Sequence, residues 1–165
     1  MTASSTRSTA HEPHYWLMKS EPSCFSIDDL KKAKIAPWDG VRNYQARNYM
    51  RDDMRTGDIV LFYHSNCAEP GVVGVASVAG EAYPDHTAWD PHSEHPDPRS
   101  TPERPLWYMV DVAYVDTFAK PVTLRILKAD PFFANMLVVQ RGQRLSIQPV
   151  EKRHAKRIIS LGMRK

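Results

Sequence analysis

Cysteine is scarce in this chain. Cys24 and Cys67 are the only two among 165 residues, so a disulfide framework cannot be what holds it together. A bridge between them is compatible with the sequence, but free thiols are expected. No stretch approaches the ~20 consecutive apolar residues of a membrane-spanning helix, so no membrane partner is expected. No charged-then-apolar leader stands before a cleavage site, and the expected location is cytoplasmic. Internal repeats are missing as well.

The sequence also lacks the common catalytic signatures. It has no G-x-G-x-x-G, no G-x-x-x-x-G-K-[ST] and no H-E-x-x-H. It has no G-x-S-x-G elbow. His86, His92 and His95 lie near Asp85, Asp90 and Asp97, but their spacing is irregular and they are expected to be solvated loop residues rather than metal ligands. His64 and Cys67 have no third group to orient them as a thiol–imidazole pair. No cofactor, no metal and no enzymatic activity are therefore expected.

What remains is the composition of one ordinary domain, 42% hydrophobic and 25% charged, with a formal net charge of +3. Residues 1–12, "MTASSTRSTAHE", are Ser/Thr-rich without aliphatic periodicity and read as a disordered tail. Residues 13–165 read as a single domain. "YWLM" suits a buried first strand. Ser26 with Asp29 three residues on forms a capping-box start for a short helix. Asn43 caps a second helix, with Ala46, Tyr49, Met50 and Met54 on one apolar stripe. "IVLFYHS" and "GVVGVASVAGEAY" follow as strands, with Gly71, Gly74 and Gly80 marking bends. Residues 84–105 hold six of the 13 prolines and read as a long functional loop, mobile in the free protein. A long strand, two short helical pieces, the strand "QRLSIQPV" and a final helix complete the chain. Strands and helices do not alternate regularly, so the class is α+β: a small, partly open β-barrel decorated by short helices.

One stretch, "WDGVRNYQARNYMR" at 38–51, concentrates ligand chemistry. A tryptophan ring is a stacking platform for a base. Arginine supplies a donor fork for phosphate or a base edge. Asparagine offers both a donor and an acceptor. Trp38, Arg42, Asn43 and Arg47, with Arg51, are thus candidates for gripping a nucleotide. The other reading of the same residues is structural, with Trp38 capping the core and the arginines on a solvated helix face. Trp16 and Trp107 lie within strands and are expected in the core.

"HYWLMKSEP", "WDGVRNYQARN", "GDIVLFYHSN" and "QRLSIQPV", in that order, resemble the EVE domain family. The resemblance implies a PUA-like barrel, similar to ASCH and YTH domains. It implies non-enzymatic binding of nucleic acid carrying a modified base, a modified cytosine in DNA being favoured. The alternatives are an RNA-binding PUA-like module that reads a modified ribonucleotide and, behind it, a nucleotide-acting hydrolase using Ser65, His64 or the loop histidines. By similarity to YTH domains, "MKSEP" nominates Lys19, Ser20 and Glu21. The cage tryptophan falls on Trp38, with its ring face open to the ligand, and the departure from the YTH pattern comes just after it, at Asp39-Gly40. The second cage aromatic falls on Trp89, carried over the base by ordering of the 84–105 loop. "FYHSN" contributes Ser65 and Asn66. No protein partner is implied.

Overall fold

The computed structural model describes residues 12–164. The expected tail falls almost wholly outside the described residues; its last member, Glu12, pairs with Lys152 at 3.2 Å. Six strands form one curled mixed sheet, a half-barrel decorated by short helices. They are β1 (Tyr15–Ser20), β2 (Ile35–Pro37), β3 (Ile59–His64), β4 (Gly71–Val78), β7 (Asp111–Thr123) and β8 (Ile147–Val150), in the order β2-β7-β4-β3-β1-β8. Strand β1 runs parallel to β3, and every other pairing is antiparallel. A small second sheet joins β5 (Tyr83–Pro84) to β6 (Tyr108–Met109).

The curl comes from bulges. The register of β4 slips against β7 between Val72 and Gly74, and against β3 between Phe62 and Tyr63. A β-carbon at Gly74 would stand 2.6 Å from Asp116 O, and one at Gly71 the same distance from Val122 O. Glycine is required there because neighbouring backbone occupies the space a side chain would need. Gly80 is different: a β-carbon there would touch nothing within 4 Å, so it marks no close-packed bend.

Helix starts follow their local chemistry. Ahead of α1 (Ile27–Ala33), Ser26 Oγ accepts from Asp29 N at 3.1 Å and Asp29 accepts from Ser26 N at 2.9 Å, the full capping box. Asn43 Oδ1 accepts from Ala46 N at 2.9 Å ahead of α2 (Tyr44–Asn48). The chain then widens into a π-helical turn, Tyr49–Asp53, and Arg47 and Arg51 both donate to Asn48 Oδ1, at 2.9 and 3.3 Å. Ala46, Met50 and Met54 are buried all the same.

Strand alternation sorts the core into two clusters on opposite faces of the sheet. Trp16, Met18, Val60 and Phe62 face α1, α2 and the Trp38 turn. Leu17, Leu61, Tyr63 and Val75 face α3 (Leu124–Ala129) and α4 (Lys152–Met163). Ala155 and Ile158 bury the inner stripe of α4, and Gly162 sits so close to the Phe118 ring that a β-carbon would collide with it. Trp16 and Trp107 are buried, with each indole N–H satisfied by a carboxylate: Asp58 at 3.0 Å and Asp97 at 2.8 Å.

The 84–105 segment is not the structureless loop its prolines suggest. Asp85 caps a single 3-10 turn, His86–Trp89. Asp97 N donates to Ala88 O at 2.7 Å, and Leu106 N donates to the buried Ser100 Oγ at 2.9 Å. Short polar side chains satisfy the backbone locally and thereby fold a segment with few apolar residues.

Candidate functional site

Where the C-terminal end of β1 meets the Trp38 turn, a cavity of about 730 Å³ opens between the sheet and the 84–105 segment. Lys19, Ser20 and Glu21 form one wall, Trp38 and Gly40 a second, and His92 with His95 a third, while Ser146 closes the side next to Lys19. The strand end delivers the first wall because β1 stops at Ser20, and Lys19 N is tied to Ser146 O at 2.9 Å.

Trp38 is more deeply set than a freely exposed platform. It is 8% exposed, belongs to the core cluster and meets Phe62 edge-on at 5.5 Å. Its backbone N–H donates to Val110 O at 2.8 Å. Trp38 therefore caps the core and also lines the cavity. Next to it Gly40 takes φ +77°, and a β-carbon there would come 2.8 Å from the His95 ring. Only glycine lets the turn and the histidine share that space.

Asp85 pins the turn to the loop. It is fully buried and accepts from Gly40 N at 2.9 Å, Thr87 N at 2.9 Å and Arg42 Nη1 at 3.0 Å, and also from Thr87 Oγ1. Burial acts to raise its pKa, but the hydrogen bonds from Thr87, Gly40 and Arg42 together outweigh burial and hold the carboxyl below its ordinary value. The Arg42 guanidinium also donates to His95 O at 2.7 and 3.1 Å. Arg42 lines the cavity, but as a clamp whose donors are already engaged, not as a free phosphate ligand.

Around Lys19 the site is half-buried. Burial lowers the pKa of the amine, which lies 5.9 Å from the Tyr63 ring centre. Ser20 Oγ donates to Phe25 O at 2.6 Å, leaving its lone pairs for a ligand. The exposed Glu21 carboxylate receives Asn66 Nδ2 at 3.2 Å. An aromatic wall, an amine, a hydroxyl and a carboxylate thus face one space. Such a set can hold a flat heterocycle and bond to its polar edge.

The EVE domain family model matches residues 14–161. This chain belongs to the EVE domain family. It is 42% identical to thymocyte nuclear protein 1 of Homo sapiens, over 89% of this chain and 73% of that relative. A solved structure of a hypothetical protein from Leishmania major superposes with a TM-score of 0.88 at 50% identity, covering 93% of this chain and 96% of that one. The human THYN1 protein, solved in complex with DNA containing 5-methylcytosine, superposes with a TM-score of 0.84 at 41% identity, covering 92% and 99%.

Of the residues the sequence nominated, this EVE domain brings Lys19, Ser20, Glu21, Trp38 and Arg42 to the cavity. The other six lie outside its lining. Asn66 acts on the cavity only through Glu21. Ser65 lends its backbone, N–H to Ser20 O at 3.0 Å. Asn43 spends its side chain on the α2 cap. Arg47 donates to Leu106 O at 2.9 Å and packs over the Tyr44 ring at 4.9 Å. Arg51 pairs with Asp52 at 2.8 Å. Arg47 thus ties the second helix to the segment before β6, and Arg51 also lies over the Tyr108 ring at 5.7 Å. Trp89 is half-buried and not among the lining residues; Asp85 caps its 3-10 turn, and Ala88 O accepts from Asp97 N at 2.7 Å.

The sequence reading passed over His92, His95 and Ser146 as lining residues. The density of histidine and proline flagged their segment, but nothing local showed which rings fold back on Gly40. His64 Nε2 accepts from Ile27 N at 3.1 Å, and burial lowers its pKa, so it serves the α1 start as a neutral acceptor. Among the described residues no group of three or more His, Cys, Asp or Glu side chains could hold a metal ion, and no helix is long and apolar enough to cross a membrane.

A second cavity of about 710 Å³ lies beyond the other end of β1, near His14, Tyr49, Asp53 and Lys152. Its lining mixes Glu12, Asp52 and Asp53 with Arg55 and Lys152, and Glu12 and Asp52 are paired to Lys152 and Arg51.

Proposed function

We propose that this EVE domain binds nucleic acid and takes a modified base, with 5-methylcytosine in DNA as the leading candidate, into the cavity beside Trp38. The observation that carries the reading is the likeness, along nearly the whole chain, to human THYN1 protein solved with DNA containing 5-methylcytosine. The cavity is compatible with it. At about 730 Å³ it lies within the usual range for ligand sites and accommodates an extruded nucleotide. Trp38, Phe25 and Val41 offer apolar surface for a ring and its methyl group, while Lys19, Ser20 and Glu21 offer donors and acceptors for a polar edge. The domain acts in this reading as a binder and not as a catalyst.

The test is a titration of short oligonucleotides that differ only at one cytosine, methylated or not, as single strands and duplexes and in ribose and deoxyribose forms. Tighter binding of the methylated DNA is the expected result. Equal affinity for methylated and unmethylated strands would remove the modified-base reading. Preference for ribose strands would move the ligand to RNA, where the 2′-hydroxyl is read.

A further inference from the structure

The cavity walls hold no cation free to meet a phosphodiester except the half-buried Lys19. Arg42, Arg47 and Arg51 are engaged within the protein. Cations with no engagement within the protein lie on the side of the cavity closed by Ser146. The chain reaches Ser146 through Arg141, Gly142, Gln143 and Arg144. Arg141 and Arg144 are exposed, and among the described residues neither has an ion pair, a hydrogen bond or a ring contact.

The loop is held firmly at both ends. Gln140 Nε2 donates to Ala134 O at 2.7 Å before it. After it, Leu145 is buried in the core cluster of the cavity face, and its carbonyl accepts from Gln148 Nε2 at 2.8 Å. Gly142, at φ +75°, turns the chain between the two arginines. Arg144 stands two residues from Ser146, so backbone of at most about 7 Å separates it from the cavity wall. An arginine side chain spans that distance again.

We infer that Arg141 and Arg144 form a phosphate-binding finger that grips the nucleic-acid backbone on the Ser146 side of the cavity. The inference rests on the nucleic-acid reading above and names the surface that would supply its affinity. Phosphate is the class these side chains fit. Each is a permanent cation with a planar donor fork and no internal acceptor. The finger contributes affinity and salt dependence, whereas discrimination of the base stays with the cavity.

The experiment measures affinity for a methylated oligonucleotide against salt concentration, for the wild type and for Arg141→Ala/Arg144→Ala. Each arginine–phosphate pair removed lowers the log–log slope by about 0.7 for a single strand or 0.9 for a duplex. With both pairs removed from a duplex complex, affinity should fall roughly tenfold less than in the wild type over a fourfold rise in salt. The ratio of methylated to unmethylated affinity should stay unchanged. Arg141→Lys/Arg144→Lys should keep the slope, because the charge is kept. Lys156→Ala serves as the control, since Lys156 is also exposed but projects from α4 on the other face. A wild type that binds with a slope unmoved by the double alanine variant overturns the finger and leaves the function standing. A wild type that binds no oligonucleotide overturns both.

Discussion

Along β1, Trp16 and Met18 point to one face of the sheet and Leu17 to the other. The two faces start from the same kind of strand surface and are closed in different ways. On the Leu17 face the principal cover is α4, which lays Ala155 and Ile158 against the strands and brings Gly162 onto Phe118. On the Trp16 face the cover is divided among α1, α2, the Trp38 turn and the 84–105 segment. A helix with a continuous apolar stripe leaves little room for a ligand. Several short pieces joined by polar contacts leave a gap, and Asp85 and Arg42 set its width. Apolar packing supplies the α4 face; buried polar bonding shapes the cavity face.

Substitutions on each face test that contrast. The largest effect is expected at Trp38→Ala. Its near-complete burial puts the loss of stability close to the ~3–5 kcal/mol of a truncated core aromatic. Binding should also fall, by about 1–3 kcal/mol beyond any unfolding. Trp38→Phe should keep part of both. Measuring melting temperature and affinity on the same sample separates the two losses, and intact binding by a folded Trp38→Ala protein would leave the cavity without its aromatic wall.

Asp85→Ala comes next. Removing one partner of a buried ion pair costs about 3 kcal/mol or more, and here it should also loosen the third wall. Because the Asp85 pKa lies below the ordinary 3.8 in the folded protein, its stabilisation is complete above that pH. It is lost as pH falls through the folded value. Denaturant midpoints of wild type and variant should therefore differ at pH 7 and converge in acid. Parallel curves across that range would mean the carboxylate does not hold the turn.

Ile158→Ala should cost roughly 2–4 kcal/mol through lost burial and the space left behind. Affinity, measured well below the melting temperature, should not change. If it weakens in step with stability, the two faces are coupled and the contrast fails. The smallest effect is expected for Lys156→Ala, whose side chain is solvated: neither thermal unfolding nor oligonucleotide affinity should move measurably.

The parts of this arrangement that were legible in the sequence are those fixed by neighbours in the chain. Ser26 with Asp29, Asn43 with Ala46, and the stripe through Met50 and Met54 each depend on residues a turn apart. The order of the motifs was enough for the family and for the strand end carrying Lys19, Ser20 and Glu21. Long-range polar contacts were not legible. Arg42 reads as a ligand residue until Asp85 and the carbonyl of His95 are found beside it. Proline density does not show that Asp85, Asp97 and Ser100 accept from the nearby backbone N–H groups of Thr87, Arg99 and Leu106. The π-helical turn at Tyr49–Asp53 has no local signal.

Strand β1 lies between a parallel neighbour, β3, and an antiparallel one, β8, so that Tyr15 is paired with both Ile59 and Val150. For a chain leaving the ribosome, this means that the strand made first is finished among the last. At about 5–20 residues per second, β1 waits several seconds with one edge bare before β8 emerges. Ser146, one wall of the cavity, arrives in that same final stretch. The nascent chain can thus build most of its sheet while one side of the cavity is still open. A chain released before β8 would expose the apolar edge of β1, a template for pairing with other chains.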